Sequence, residues 1–336
     1  MKKISEYFLH DIWHVMRPLA YHGDGKTGPF FEGWYFKLVS RDGAHRISVI
    51  PGVYIGAQIQ DSHSFVQVID GVKGSSDYIP FSIENFRFVR GAMDIHIAGN
   101  HFTQNGIVLD LRLDSFNLAG KLSFSGLHPW PITPLSPGVM GWFAWVPGME
   151  CYHGIVSLDH HIAGELSING KGVDFTGGRG YMEKDWGRAM PRSWIWMQSN
   201  HFNRAGTSLT FSIADIPWGR RSFVGFLGGF LLDGQLYRFT TYTGAKISHL
   251  SVSENAIQFN LSDRTKRLTV TAHRAQGSNL QAPTTFQMDR RIMETLSAGI
   301  DVVFEKKSNH NWKQVFTGNG RFAGLELVGD TGLLMR

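Results

Sequence analysis

The chain has 336 residues, of which 42% are hydrophobic, and a net charge of +5. That length exceeds one ordinary core and suits two domains of about 160 residues each. The basic residues form no run longer than a pair, which argues against a nucleic-acid surface and leaves peripheral contact with an anionic membrane open. The 39 glycines and 13% aromatics favour strands with tight turns over a helical bundle.

In chain order, Ile4, Phe8, Ile12 and Val15 fall at helical spacing and predict a short amphipathic N-terminal helix over 4–16. Strands are expected at 30–40, 47–55, 65–69, 81–89, 93–98, 107–113 and 121–125. Turn signals separate them at Arg41-Asp42-Gly43, Asp70-Gly71 and Asn105-Gly106. Residues 128–150 change texture: five prolines and three tryptophans mark a linker that packs against something. Strands resume at 154–157, 164–168, 181–186, 194–201, 208–214, 223–232, 235–241, 247–252, 256–261, 268–272, 300–304 and 320–327. Residues 288–296 read equally as strand or helix.

Trp34 and its neighbours, an apolar strand and Asp70-Gly71 recur as Trp194 and its neighbours, an apolar strand and Asp233-Gly234, at an offset of about 160 residues. The expectation is all-β: two copies of one antiparallel unit, each a closed or nearly closed barrel, with residues 1–150 (linker 128–150 included) as the first domain and 151–336 as the second. The single cysteine, Cys151, rules out an intramolecular disulfide and agrees with a reducing compartment. Met1-Lys2-Lys3 opens like a signal peptide, but His10, Asp11, His14 and Arg17 interrupt the apolar run, so a cytoplasmic protein is expected.

The chemistry concentrates in Gly178–Gly187 and the segment after it. If 181–186 is extended, Glu183 and Asp185 share one face and Lys184 projects from the other. Two carboxylates that close resist joint ionisation, so one is pushed toward a raised pKa. Asp185 and Glu183, with Lys184, are the catalytic candidates. Trp194, Trp196, Gln198 and Asn200 fall at period two, an aromatic patch followed by two amides. Trp34, Tyr35 and Trp186 offer further ring faces, and Glu32 shares the face of Trp34 as a second acid. His153 and Glu150 flank Cys151 and Tyr152 as groups able to orient the acid or take a phenol proton. The same residues also fit a turn at Asp185-Trp186-Gly187, core tryptophans, amides bonded to loops and Glu32 paired with an arginine such as Arg179 or Arg192. The histidines lack metal-ligand spacing, Gly177-Gly178-Arg179-Gly180 lacks a P-loop ending, and no Gly-x-Ser-x-Gly elbow occurs. No metal or cofactor is expected.

The motifs Gly28-Pro-Phe-Phe-Glu-Gly-Trp-Tyr-Phe-Lys37, Met149-Glu-Cys-Tyr-His-Gly154, Gly180-Tyr-Met-Glu-Lys-Asp-Trp-Gly187 and Trp194-Ile-Trp-Met-Gln-Ser-Asn-His-Phe202 resemble the tocopherol cyclase family. The family is similar in turn to lipocalin-like proteins with two tandem barrels, carotenoid hydratase relatives among them. The resemblance implies that fold and a reaction: an acid protonates a prenyl alkene, and a phenol oxygen captures the tertiary cation to give a chromanol. It also implies a hydrophobic small-molecule partner and no cofactor. A non-catalytic lipocalin-like carrier is the alternative; oligomeric state is not legible.

Overall fold

The computed structural model describes residues 12–113, 116–284 and 287–335. Two antiparallel sheets hold nearly all of the regular structure. The first opens with a four-strand meander: β1 (Phe30–Val39), β2 (Arg46–Ile55), β3 (His63–Asp70) and β4 (Ser75–Ser82). On its other side β1 pairs with Gly178–Gly187, and from there the sheet runs back through Cys151–Ile168 and Asn117–Ser125 to Phe86–Phe88. The second sheet repeats this plan. Trp194–Ser199, Ser208–Trp218, Arg221–Leu232 and Gln235–Thr240 form its meander. The first of these pairs on its other side with Asn311–Val328, and the sheet runs back through Arg290–Ser308 to Lys246–Val252. The repeat read from two tryptophan motifs is therefore a repeat of topology.

Two expectations change. Neither sheet closes by hydrogen bonds among the described residues: β4 and Phe86–Phe88 end one path, Gln235–Thr240 and Lys246–Val252 the other. Each sheet instead curls around its own core, so that Val66 and Val68 of β3 share a cluster with Phe86 and Ile95. The boundary expected at 150/151 falls within the first sheet, because Cys151–Ile168 and Gly178–Gly187 pair with strands of the first half; the chain changes sheet between Gly187 and Trp194. The stretch 288–296, readable as strand or helix, is strand from Arg290 onward, as the start of Arg290–Ser308. Of the expected N-terminal helix, residues 12–15 are helical, and the rest lies outside the described residues.

Local chemistry explains the elements. β1 is buried almost throughout because one face packs on the first core and the other faces the second sheet. Asp233 and Gly234, at φ 53° and 74°, make the two-residue turn that joins Arg221–Leu232 to Gln235–Thr240. The linker carries a short hairpin, Ile132–Thr133 with Ser136–Pro137, and a 3-10 turn, Gly141–Trp145. Its Trp130, Val139 and Met140 join a third apolar cluster with Tyr35, Leu158, Trp196 and Leu231, residues of both sheets. The two units are also tied by polar contacts: the Gln67 side chain both donates to and accepts from the backbone of Gln281, each at 2.9 Å.

Candidate active site between the two sheets

Alternation along Gly178–Gly187 sends Glu183 and Asp185 into a cavity of about 190 Å³ between the sheets. β1 contributes Gly33 and Tyr35 to the same wall, since they stand opposite Asp185 and Glu183 in the register. His153 lies opposite Asp185 on the other neighbouring strand. The second sheet supplies Trp194 and Trp196, with Glu294 and Glu326, which are direct cross-strand partners. The rest of the wall is largely apolar, with Phe31, Phe65, Met149, Phe143, Phe226 and Ile292 among its residues.

Four carboxylates thus meet in one cavity with one imidazole. His153 Nδ1 lies 2.9 Å from Asp185 Oδ1, and Nε2 lies 3.5 Å from Glu183 Oε2. Glu183 Oε2 also accepts from the Tyr181 hydroxyl, and from Trp196 Nε1 at 3.1 Å. Gly324 leaves room for that indole: a Cβ there would lie 2.6 Å from the Trp196 ring. Trp194 Nε1 donates to Glu326 Oε2 at 2.5 Å, and the Tyr35 hydroxyl donates to Glu294 Oε1 at 2.5 Å.

Burial pushes the Glu183 carboxyl up to about 7; the His153 charge offsets part of this and Asp185 adds to it. Burial likewise raises Glu326 to about 7, against the Trp194 hydrogen bond and with the charges of Glu183 and Asp185. Glu294 stands well above the carboxylate range, through burial first and then Glu326. Burial works to lower His153, but Asp185 and Glu183 outweigh it and raise the imidazole to about 9. Near neutral pH the site therefore holds Glu294 as a neutral acid, Glu183 and Glu326 close to their midpoints, and His153 as an imidazolium. The ligand atoms of His153, Glu183 and Asp185 also lie within 4.8 Å of one another, as do those of Asp94, His96 and His101 on the outer surface.

Several residues singled out in the sequence lie elsewhere. Glu32, Trp34, Lys184 and Trp186 face the first core rather than the cavity. Lys184 forms a fully buried ion pair with Glu32 and donates to the Ala20 carbonyl at 2.7 Å. Its ammonium lies over the rings of Trp34, at 5.2 Å, and Trp186, at 4.7 Å. Glu32 is thus not a second acid of the cavity, and in place of the alternative pairing with Arg179 or Arg192 its cation is Lys184; Arg179 pairs with Asp159. Gln198 accepts from Lys37 Nζ at 2.8 Å, and Asn200 donates to Asp159 and to the Gly180 carbonyl, so both amides join the sheets away from the cavity. Glu150 is half-buried outside the cavity, its carboxyl raised by burial against the pull of Arg192, Arg188 and Arg290.

Glu294 and Glu326 escaped the sequence reading. The signal for Glu326 is a lone acid inside Gly324-Leu-Glu-Leu-Val328; Glu294 lay in the segment readable as helix or strand.

Two curled antiparallel sheets of one topology, with an acid-lined apolar cavity between them, define an all-β protein of tandem lipocalin-like units. Residues 121–329 match the tocopherol cyclase-like family, and the chain belongs to it. It is 24% identical over 276 residues to a probable chloroplastic tocopherol cyclase of Oryza sativa subsp. japonica, covering 67% of this chain and 59% of that one. It is 23% identical over 277 residues to the chloroplastic tocopherol cyclase of Zea mays, covering 67% and 58%. The chain thus spans under two thirds of the length of these relatives. Among solved structures, a putative AttH from Nitrosomonas europaea is similar with a TM-score of 0.53 at 14% identity, covering 93% of this chain and 95% of that one. CghA with Sch210972 gives 0.52 at 10% identity, covering 90% and 89%. Kievitone hydratase from Nectria haematococca gives 0.50 at 10% identity, covering 90% of each. At these identities the likeness is one of fold.

Proposed function

We propose that the chain is a cofactor-independent cyclase that converts a prenylated hydroquinone, or a related isoprenoid, to a chromanol. The observation that carries this reading is the buried Glu183 carboxyl in a largely apolar cavity, 3.5 Å from the imidazole of the His153–Asp185 pair and pushed up to about 7 by burial. Alkene protonation needs a strong acid kept away from water, and the apolar wall supplies that setting. Glu183 gives its proton to the alkene, and the tertiary cation forms beside the π-faces of Trp194 and Trp196. The phenol oxygen captures the cation and loses its own proton to Asp185. That proton returns through His153 Nδ1 and Nε2 to Glu183, so the reaction is an isomerisation with no net proton change. Family membership and the cyclase names of two relatives support the same class.

The test is chromanol formation by the purified chain from a panel of prenylated hydroquinones, with quinol binding followed by tryptophan fluorescence. Turnover that is lost in Glu183→Gln while binding is kept is the expected result. Binding without turnover across the whole panel would replace the cyclase with a carrier, the reading that the apolar wall alone would favour.

A further inference from the structure

We infer that the linker and one hairpin tip form a docking surface for an anionic lipid bilayer. Residues 129–149 contain no ionisable side chain, yet much of that stretch is solvent-exposed. Leu135 is 88% exposed, Trp142 48% and Trp145 38%. On the adjoining tip between Ser208–Trp218 and Arg221–Leu232, Trp218 is 45% exposed. Trp142 and Trp218 belong to one patch, since Trp142 stacks on Phe143 at 4.1 Å and Phe143 meets both Trp218, at 6.3 Å, and Phe223, at 5.7 Å; Trp145, in the same 3-10 turn, donates to the Pro134 carbonyl at 3.0 Å, beside Leu135.

A loop exposing this much apolar surface with no charge is costly to leave in water. Three facts select a bilayer as its occupant. Tryptophan, with an apolar body and one N–H, is suited to the headgroup boundary. Arg220 and Arg221 follow Trp218 after Gly219, both exposed, and 216–222 holds no acid, so the rim of the patch is complementary to anionic headgroups. Phe143 and Phe223, at the centre of the patch, also line the cavity between the sheets. An apolar surface continuous with an apolar cavity suits exchange of a lipid-soluble molecule with the membrane interior.

This inference stands apart from the cyclase reading, because its test measures binding and not turnover. The whole chain is sedimented with vesicles of phosphatidylcholine alone and of phosphatidylcholine with phosphatidylglycerol. Wild type is expected to pellet with the anionic vesicles, with a blue shift in tryptophan emission. Leu135→Ser/Trp142→Ser/Trp218→Ser should weaken this partitioning roughly tenfold or more. Arg220→Gln/Arg221→Gln should weaken binding to anionic vesicles only, and added salt should mimic it. All of the changed side chains are exposed, and a thermal melt checks each fold; if the triple variant fails to fold, Trp142→Ser and the arginine pair carry the test. Wild type remaining in solution with both vesicles overturns the inference, as does unchanged binding by the variants. A dimer that forms in solution through the patch and is lost in the triple variant would assign the surface to a second copy of the chain instead.

Discussion

Tyr35 of the first sheet donates its hydroxyl proton to Glu294 Oε1 of the second at 2.5 Å, across 259 positions of sequence. The bond sits in the cavity wall, so the acid cluster belongs to neither unit alone. Phenol and carboxyl are both buried, and the pair joins the two halves of the site.

Glu183→Gln keeps the shape of the side chain but cannot deliver a proton. Chromanol formation should fall by about a hundred- to ten-thousand-fold. Asp185→Asn should also be severely impaired, because it cannot accept the phenol proton or balance the imidazolium. Full activity in both variants would move the donor to Glu294 or Glu326.

The rate should be highest below neutrality and fall as pH rises through about 7, where Glu183 and Glu326 lose their protons. Stability provides a second readout. The folded pKa of Glu183 is raised, so its protonated form stabilises the fold fully below the unfolded value and loses that contribution as pH rises through about 7. Thermal melts of wild type and Glu183→Gln should therefore diverge between about pH 4.5 and 7, with wild type losing ground as pH rises. Parallel curves would place the perturbed acid elsewhere.

Trp196 Nε1 donates to the carboxylate form of Glu183, which lowers that pKa. Trp196→Phe removes the donor and should shift the alkaline limb of the rate profile upward. A loss of rate at every pH with an unmoved limb would give Trp196 a packing role only.

Lys184 and Glu32 should behave as structure. Lys184→Met leaves the Glu32 carboxylate buried without its cation and should cost about 3–5 kcal/mol in denaturant unfolding. The double variant Lys184→Met/Glu32→Gln should recover much of that loss. Quinol binding in the double variant should match wild type, whereas a catalytic role for Lys184 would abolish turnover in it.

Much of this site was legible because strands alternate: the pairing of Glu183 with Asp185 on one face, and Lys184 on the other, follows from period two alone. Which face is the cavity was not legible for β1. Its residues are buried on both sides, so Trp34 and Tyr35 look alike in sequence although one faces the core and the other the acid cluster. Glu294 and Glu326 reach the cavity only through the pairing of Trp194–Ser199 with Asn311–Val328, a contact that no local pattern announces. The displaced boundary has the same cause: nothing near residue 151 signals that the strands which follow it return to β1.

In both units the opening strand takes its second neighbour from the unit's closing strand: β1 from Gly178–Gly187, and Trp194–Ser199 from Asn311–Val328. During synthesis β1 therefore emerges with one hydrogen-bonding edge unfilled and keeps it so until more than a hundred further residues have been made. Contacts at that separation fold slowly, and an open apolar edge recruits other chains. A ribosome stalled before residue 178 would hold an aggregation-prone meander, whereas one past residue 187 would hold a completed first sheet.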